Sequence, residues 1–121
     1  MSAGPQAFTL DWDDLSTAPA TGTTKHVTWP QVESTLRRLC QSDSGFVILA
    51  LAGDDLHYCQ TARTEGERPE VIVEWQDGST DRHFMLPKTL EQPDLLVELF
   101  HVYYHTPHLI GEVAPWELME L

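Results

Sequence analysis

From Trp29 the apolar residues recur at Val32, Leu36, Leu39 and Cys40, offsets of 3, 7, 10 and 11 that fall on one face of a helix. Thr28 and Gln31 have the spacing of a capping box, and Pro30 sits in the first turn, where its missing N–H costs nothing. This helix should end near Gln41, before Ser42-Asp43-Ser44-Gly45. A second helical face runs through Leu95, Leu96, Leu99, Phe100 and Tyr103. Its start is expected near Thr89, where Thr89 and Gln92 repeat the capping-box spacing and Pro93 still lies in the first turn. Thr106-Pro107 should end it.

Between the two helices the period changes. Phe46–Ala52 is continuously apolar and reads as a central strand. Leu56–Ala62 follows the turn Gly53-Asp54-Asp55 as a weaker strand. In Glu70–Gln76 the residues Val71, Val73 and Trp75 face one way, and Ile72, Glu74 and Gln76 the other. Asp77-Gly78 is a strong turn signal, and Arg82–Leu86 returns with Phe84 and Leu86 on one side. These segments predict an antiparallel meander. Phe8-Thr9-Leu10-Asp11-Trp12 also alternates and is a candidate fifth strand. Residues 16–24 are small, polar and punctuated by Pro and Gly, so they read as a loop or mobile linker. The tail from Ala114 to Leu121 is apolar enough to dock, as one helical turn. The expected fold is α+β: a four- to five-stranded antiparallel sheet packed against two helices. Residues 1–25 form an N-terminal strand and flexible loop, and residues 26–121 a single domain.

Charge narrows the function. The 121 residues carry 7 Lys and Arg against 19 Asp and Glu, a formal charge of −12. A field of that sign repels nucleic-acid phosphates and anionic lipid, and attracts a basic protein. No apolar run approaches the roughly 20 residues of a membrane span, and Met1-Ser2-Ala3-Gly4-Pro5 lacks a signal peptide's basic start and apolar stretch. A cytoplasmic location is expected. Two cysteines, Cys40 and Cys59, are too few for a disulfide scaffold and are expected as reduced, buried thiols.

Candidate chemistry is sparse. His101 and His105 lie one helical turn apart, with Glu98 three residues before His101, but no second set of ligands stands at metal spacing. Cys59 and His57 share a strand face, without an oxyanion-hole loop or an orienting third group. Carboxylates cluster at Asp11, Asp13 and Asp14, at Asp54 and Asp55, and at Glu65 and Glu67, as chance allows in so acidic a chain. No phosphate-cradling glycine loop, Cys-x-x-Cys pair or deaminase-type His-x-Glu signature occurs. No catalytic residue, metal ligand or cofactor is therefore assigned. Trp75, at a strand end beside Glu74, Gln76 and Asp77, suits either the core or a partner contact.

The capped helix from Thr28-Trp29-Pro30-Gln31, the strand Phe46–Ala52 and the run Val71-Ile72-Val73-Glu74-Trp75-Gln76-Asp77-Gly78 together resemble bacterial immunity proteins of polymorphic-toxin systems. So do Leu95–Phe100, the pair Tyr103-Tyr104, Pro107 and Trp116-Glu117-Leu118. That resemblance, over residues 26–121, implies a non-enzymatic protein that binds a cognate secreted toxin and blocks its active site. Deaminases are among the toxins linked to the family. An acidic inhibitor suits a basic, nucleic-acid-targeting toxin and would associate quickly by steering. The expected contacts are Asp54, Asp55, Glu65, Glu67, Glu74 and Asp77, with Trp75 as anchor. Two other classes fit the same residues: a secretion chaperone or adaptor holding an effector, and a small metal-dependent enzyme using His101 and His105.

Overall fold

The computed structural model describes residues 7–64 and 70–119. Thr28 caps α1 (Trp29–Cys40) as its spacing predicts: its backbone is extended, and its N–H donates to Gln31 Oε1 at 2.9 Å. Val32, Leu36 and Leu39 are completely buried. On the outer side Arg37 bridges Glu33, one turn back, and Asp94 on the second helix. Gln41 ends α1.

β3 (Phe46–Leu51), β4 (His57–Arg63), β5 (Val71–Asp77) and β6 (His83–Met85) form the expected antiparallel meander. β1 (Phe8–Asp13) pairs along the free edge of β3, from Phe8 opposite Leu51 to Asp13 opposite Phe46. The sheet is larger than the four to five strands expected. β2 (Gly22–Lys25) and β7 (Glu117–Leu118) extend it to seven, in the order β2-β1-β3-β4-β5-β6-β7. Both additions are short edge strands, which bond to a single neighbour and need no apolar alternation. β2 comes out of the segment expected as a loop. Thr23 and Thr21 donate to Asp11 and Asp13 on either side of its start, so polar side chains tie this edge down.

The second helix, α2 (Pro93–His105), begins later than expected. Leu90 exchanges backbone bonds with Val71, at 3.0 and 2.9 Å, so the ladder holds this residue extended and the Thr89–Gln92 box does not form. Gln92 is the N-cap, and Pro93 supplies a helical φ. The buried face is Leu96, Val97, Phe100 and Tyr103, whereas Leu95 is 45% exposed. A 3₁₀ helix, Pro107–Glu112, follows. The tail thus contributes a strand where a helical turn was expected. Trp116 fastens it, donating from Nε1 to the Ile110 carbonyl at 2.7 Å. Among the described residues no helix is long and apolar enough to cross a membrane.

Both helices lie on one face of the sheet. That face carries Phe8, Leu10, Val47, Leu49, Cys59, Val73 and Trp75, all buried with α1 and α2 in one core. Both cysteines are free. The opposite face carries Ile48, Ala50, Gln60, Ile72 and Glu74 at half burial and Phe46 at 38% exposure.

Gly45 turns the chain from α1 into β3 at φ +114°, where a Cβ would meet the carbonyls of Asp13 and Asp14 at 2.8 Å. Gly53, in the next turn, has φ +81° but open space around it. Gly53→Ala should cost about 1–2 kcal/mol, the backbone penalty alone. Gly45→Ala adds a clash with backbone and should cost more. Thermal denaturation checks the order: Tm is expected to fall by roughly 4–8 °C for Gly53→Ala and further for Gly45→Ala.

Candidate functional site

Antiparallel pairing of β4 and β5 places His57 opposite Asp77, so the β3–β4 and β5–β6 turns leave the same end of the sheet. The Gly78 N–H donates to the Leu56 carbonyl at 3.0 Å and ties the two turns together. Asp54 shapes the first turn: its Oδ1 accepts from the Leu56 N–H at 3.1 Å, an Asx turn. Asp55 is exposed beside it. Three of the expected contact residues, Asp54, Asp55 and Asp77, are therefore brought to one end of the molecule.

The other expected contacts are elsewhere. Glu74 lies on the opposite sheet face, where its Oε1 sits 2.8 Å from His83 Nε2. Trp75 is 7% exposed, stacks on Phe84 at 4.9 Å and meets Trp116 edge-on at 6.1 Å. It is a core residue, because its position in β5 puts it in the row that faces the helices. Glu65 and Glu67 lie outside the described residues.

At the acidic end a chain of polar groups runs inward. Arg82 donates to Asp77 Oδ2 from Nε at 2.9 Å. The other oxygen of Asp77 is 3.4 Å from His57 Nε2. His57 Nδ1 is 2.6 Å from the hydroxyl of Tyr103. Burial, then the nearby Cys59, Asp54 and Asp77, pushes the Tyr103 phenol well above its ordinary range. Tyr103 therefore keeps its proton and shares a short hydrogen bond with Nδ1. A cleft of about 690 Å³ opens over this chain, lined by His57, Asp77, Arg82, Trp75, Phe84 and Trp116 among others. Trp75 Nε1 is buried without a hydrogen-bond partner among the described residues.

A second polar group, on the opposite face, was missed from the sequence. Gln76 donates from Nε2 to the Leu56 carbonyl at 3.2 Å, which orients its Oε1 toward the Tyr58 hydroxyl at 3.2 Å and His83 Nδ1 at 2.9 Å. These residues come from three strands. Only the pairing of Tyr58 with Gln76 and of Gln76 with His83 reveals them.

The thiol and histidine candidates resolve differently. Cys59 is completely buried, and desolvation pushes its thiol far above the ordinary range. A thiol held protonated offers no thiolate for attack, and His57 is engaged by Tyr103 and Asp77. His101 and His105 stand 4.1 Å apart against Trp29, at 4.8 and 5.8 Å. His105 Nδ1 donates to the His101 carbonyl at 3.0 Å. Among the described residues no group of three His, Cys, Asp or Glu is placed to hold a metal ion.

Comparisons with protein-family models, with curated protein sequences and with solved structures return no match for this chain.

The raised phenol has a measurable consequence. Its folded-state pKa lies above the unfolded value of 10.0, so its contribution to stability is complete below pH 10 and falls as pH rises further. Tyr103→Phe keeps the ring and removes the ionisable group. Urea denaturation between pH 8 and roughly pH 11 should show a steeper alkaline loss in the wild type than in Tyr103→Phe. Parallel curves would contradict the assignment.

Proposed function

We propose that this protein is a non-enzymatic immunity protein, a cytoplasmic binder that neutralises a basic toxin by masking its active surface. The observation that carries this reading is the placement of charge. A chain of net charge −12 gathers Asp54, Asp55 and Asp77 from two adjacent turns at one end of the sheet, where Arg82 offsets Asp77 and leaves Asp54 and Asp55 as the unpaired charge. Both turns are held by backbone and Asx bonds, so the carboxylates are presented in fixed positions rather than on a mobile tail. Clustered carboxylates of this kind raise the local concentration of a cationic partner and orient its approach. The resemblance to immunity proteins supports the same reading and implies a cognate secreted toxin as the partner, and the acidity suits a toxin that is basic and acts on nucleic acid.

Steering predicts a particular kinetic signature. Asp54→Asn with Asp55→Lys keeps the side-chain acceptor of the turn and removes or reverses both charges. Toward a cognate basic toxin domain, association at low salt should slow by about tenfold while dissociation changes little. The difference should shrink above about 0.5 M salt, where the Debye length is a few ångströms. A stopped-flow titration checks this. An equal association rate in the double variant, or full toxin activity in the presence of excess wild-type protein, would refute the reading.

A further inference from the structure

β3 is more apolar than its place in the fold requires. An antiparallel sheet covered on one side alternates apolar residues inward with polar residues outward. Val47, Leu49 and Leu51 of β3 pack into the core beneath α1 and α2. The residues between them, Phe46, Ile48 and Ala50, are apolar too and point to the other side. Among the described residues no element covers that side: Phe46 is 38% exposed, and Ile48 and Ala50 are half-buried. A strand apolar on both faces is built to be covered on both, so the uncovered half marks an interaction surface.

Strand register extends this surface. Phe46 lies opposite Ala62, and Ala62 opposite Ile72. In the next row Ile48 is followed by Gln60, Glu74 and Met85. A shallow hollow of about 300 Å³ opens between Phe46, Ile48, Gln60 and Glu74.

The rim of the surface is acidic. Asp13 lies opposite Phe46 and Asp11 opposite Ile48, whereas Glu117 lies opposite Met85 on the far side. Asp11 and Glu117 thus end one row, five strand spacings or about 24 Å apart. Asp11 and Asp13 accept only from the neutral hydroxyls of Thr23 and Thr21, which leave their charge in place. Glu74 is taken up by His83. Among the described residues of this face Lys25, opposite Thr9, is the sole Lys or Arg, so three carboxylates stand against one cation.

These features select the occupant. The strands beneath the band are already paired on both edges, so an added strand finds no backbone to join and only a flat apolar surface can pack on it. The rim repels a second copy of itself and attracts lysine and arginine. We infer that the open face of the sheet, centred on Phe46, Ile48 and Ile72, binds a basic protein through a flat apolar patch bordered by Lys or Arg side chains. This rests on the partner-binding reading above and gives it a seat: Asp54 and Asp55 act on the approach, and the sheet face makes the contact.

The probe is a fluorescent, disulfide-closed β-hairpin peptide of about 14 residues, with valines on one face and lysines at its borders. Two control peptides carry glutamate in place of lysine or serine in place of valine. Fluorescence anisotropy at about 0.15 M salt should show the valine–lysine peptide binding about tenfold more tightly than either control. Phe46→Ser and Ile48→Thr, at positions outside the core, should each weaken it about fivefold with an unchanged circular dichroism spectrum. Asp11→Asn, which keeps the acceptor for Thr23, combined with Glu117→Gln should weaken binding and flatten its salt dependence. Leu95→Ser, in the second, outward stripe of α2 with Leu99 and Val102, lies on the helical side and should leave binding unchanged. Binding of the valine–lysine peptide no tighter than that of the glutamate peptide, or full binding by both Phe46→Ser and Ile48→Thr, would overturn the inference. So would a dimer by light scattering that Phe46→Ser dissolves, since a second copy would then be the occupant. Peptide binding lost only in Asp54→Asn with Asp55→Lys would remove the sheet face and leave the acidic binder standing. Sheet-face binding without protection against the toxin would do the reverse.

Discussion

The anchoring of α2 through Tyr103 sets both the rotation of that helix and the acidic end of the sheet. The Tyr103 ring is completely buried against Phe8, at 5.5 Å, and stacked on His57 at 5.6 Å and 20°. Its hydroxyl meets His57 Nδ1 at 2.6 Å in a poorly solvated place, where an unmade hydrogen bond is costly. This one side chain ties α2 to β1 and β4 together. Once Tyr103, Phe100 and Leu96 point inward, the residues one position before each of them are turned by about 100° around the helix. Leu95, Leu99 and Val102 are those residues, so the core contact itself turns the second stripe outward. The same contact orients His57 toward Asp77 and so helps to set the acidic end.

Charge and apolar surface are divided accordingly. Three surface arginines are used internally: Arg37 joins the two helices, Arg82 holds Asp77, and Arg38 caps the carbonyls of Thr17 and Pro19. Of the turn carboxylates, Asp55 faces solvent, Asp54 is half-buried and bonded within its turn, and Asp77 is paired with Arg82.

Much of the fold was legible in sequence because its signals are local. The Thr28 cap, the α1 stripe, the alternation of Val71, Val73 and Trp75, and the Asp77-Gly78 turn each depend on neighbours within a few residues, and each appears where expected. The misses share a cause. β2 and β7 are edge strands whose residues Gly22-Thr23-Thr24-Lys25 and Glu117-Leu118 carry no pattern of their own. They become strands because β1 and β6 present open edges. Leu90 left the second helix for a ladder bond to Val71, a residue 19 positions earlier that no local window weighs. Local spacing cannot place Leu95, because its spacing with Leu99 is as helical as that of Leu96 with Phe100.

By itself, then, the sequence determined an acidic α+β domain with a capped first helix, an antiparallel meander and acids in its turns. Those properties follow from composition and short-range periodicity. Tertiary structure alone decided that Trp75 belongs to the core, that Glu74 and Asp77 lie on opposite faces, and which apolar stripe of α2 stays outside. Strand register and helix rotation make those decisions, and both are set by contacts between residues far apart in the chain.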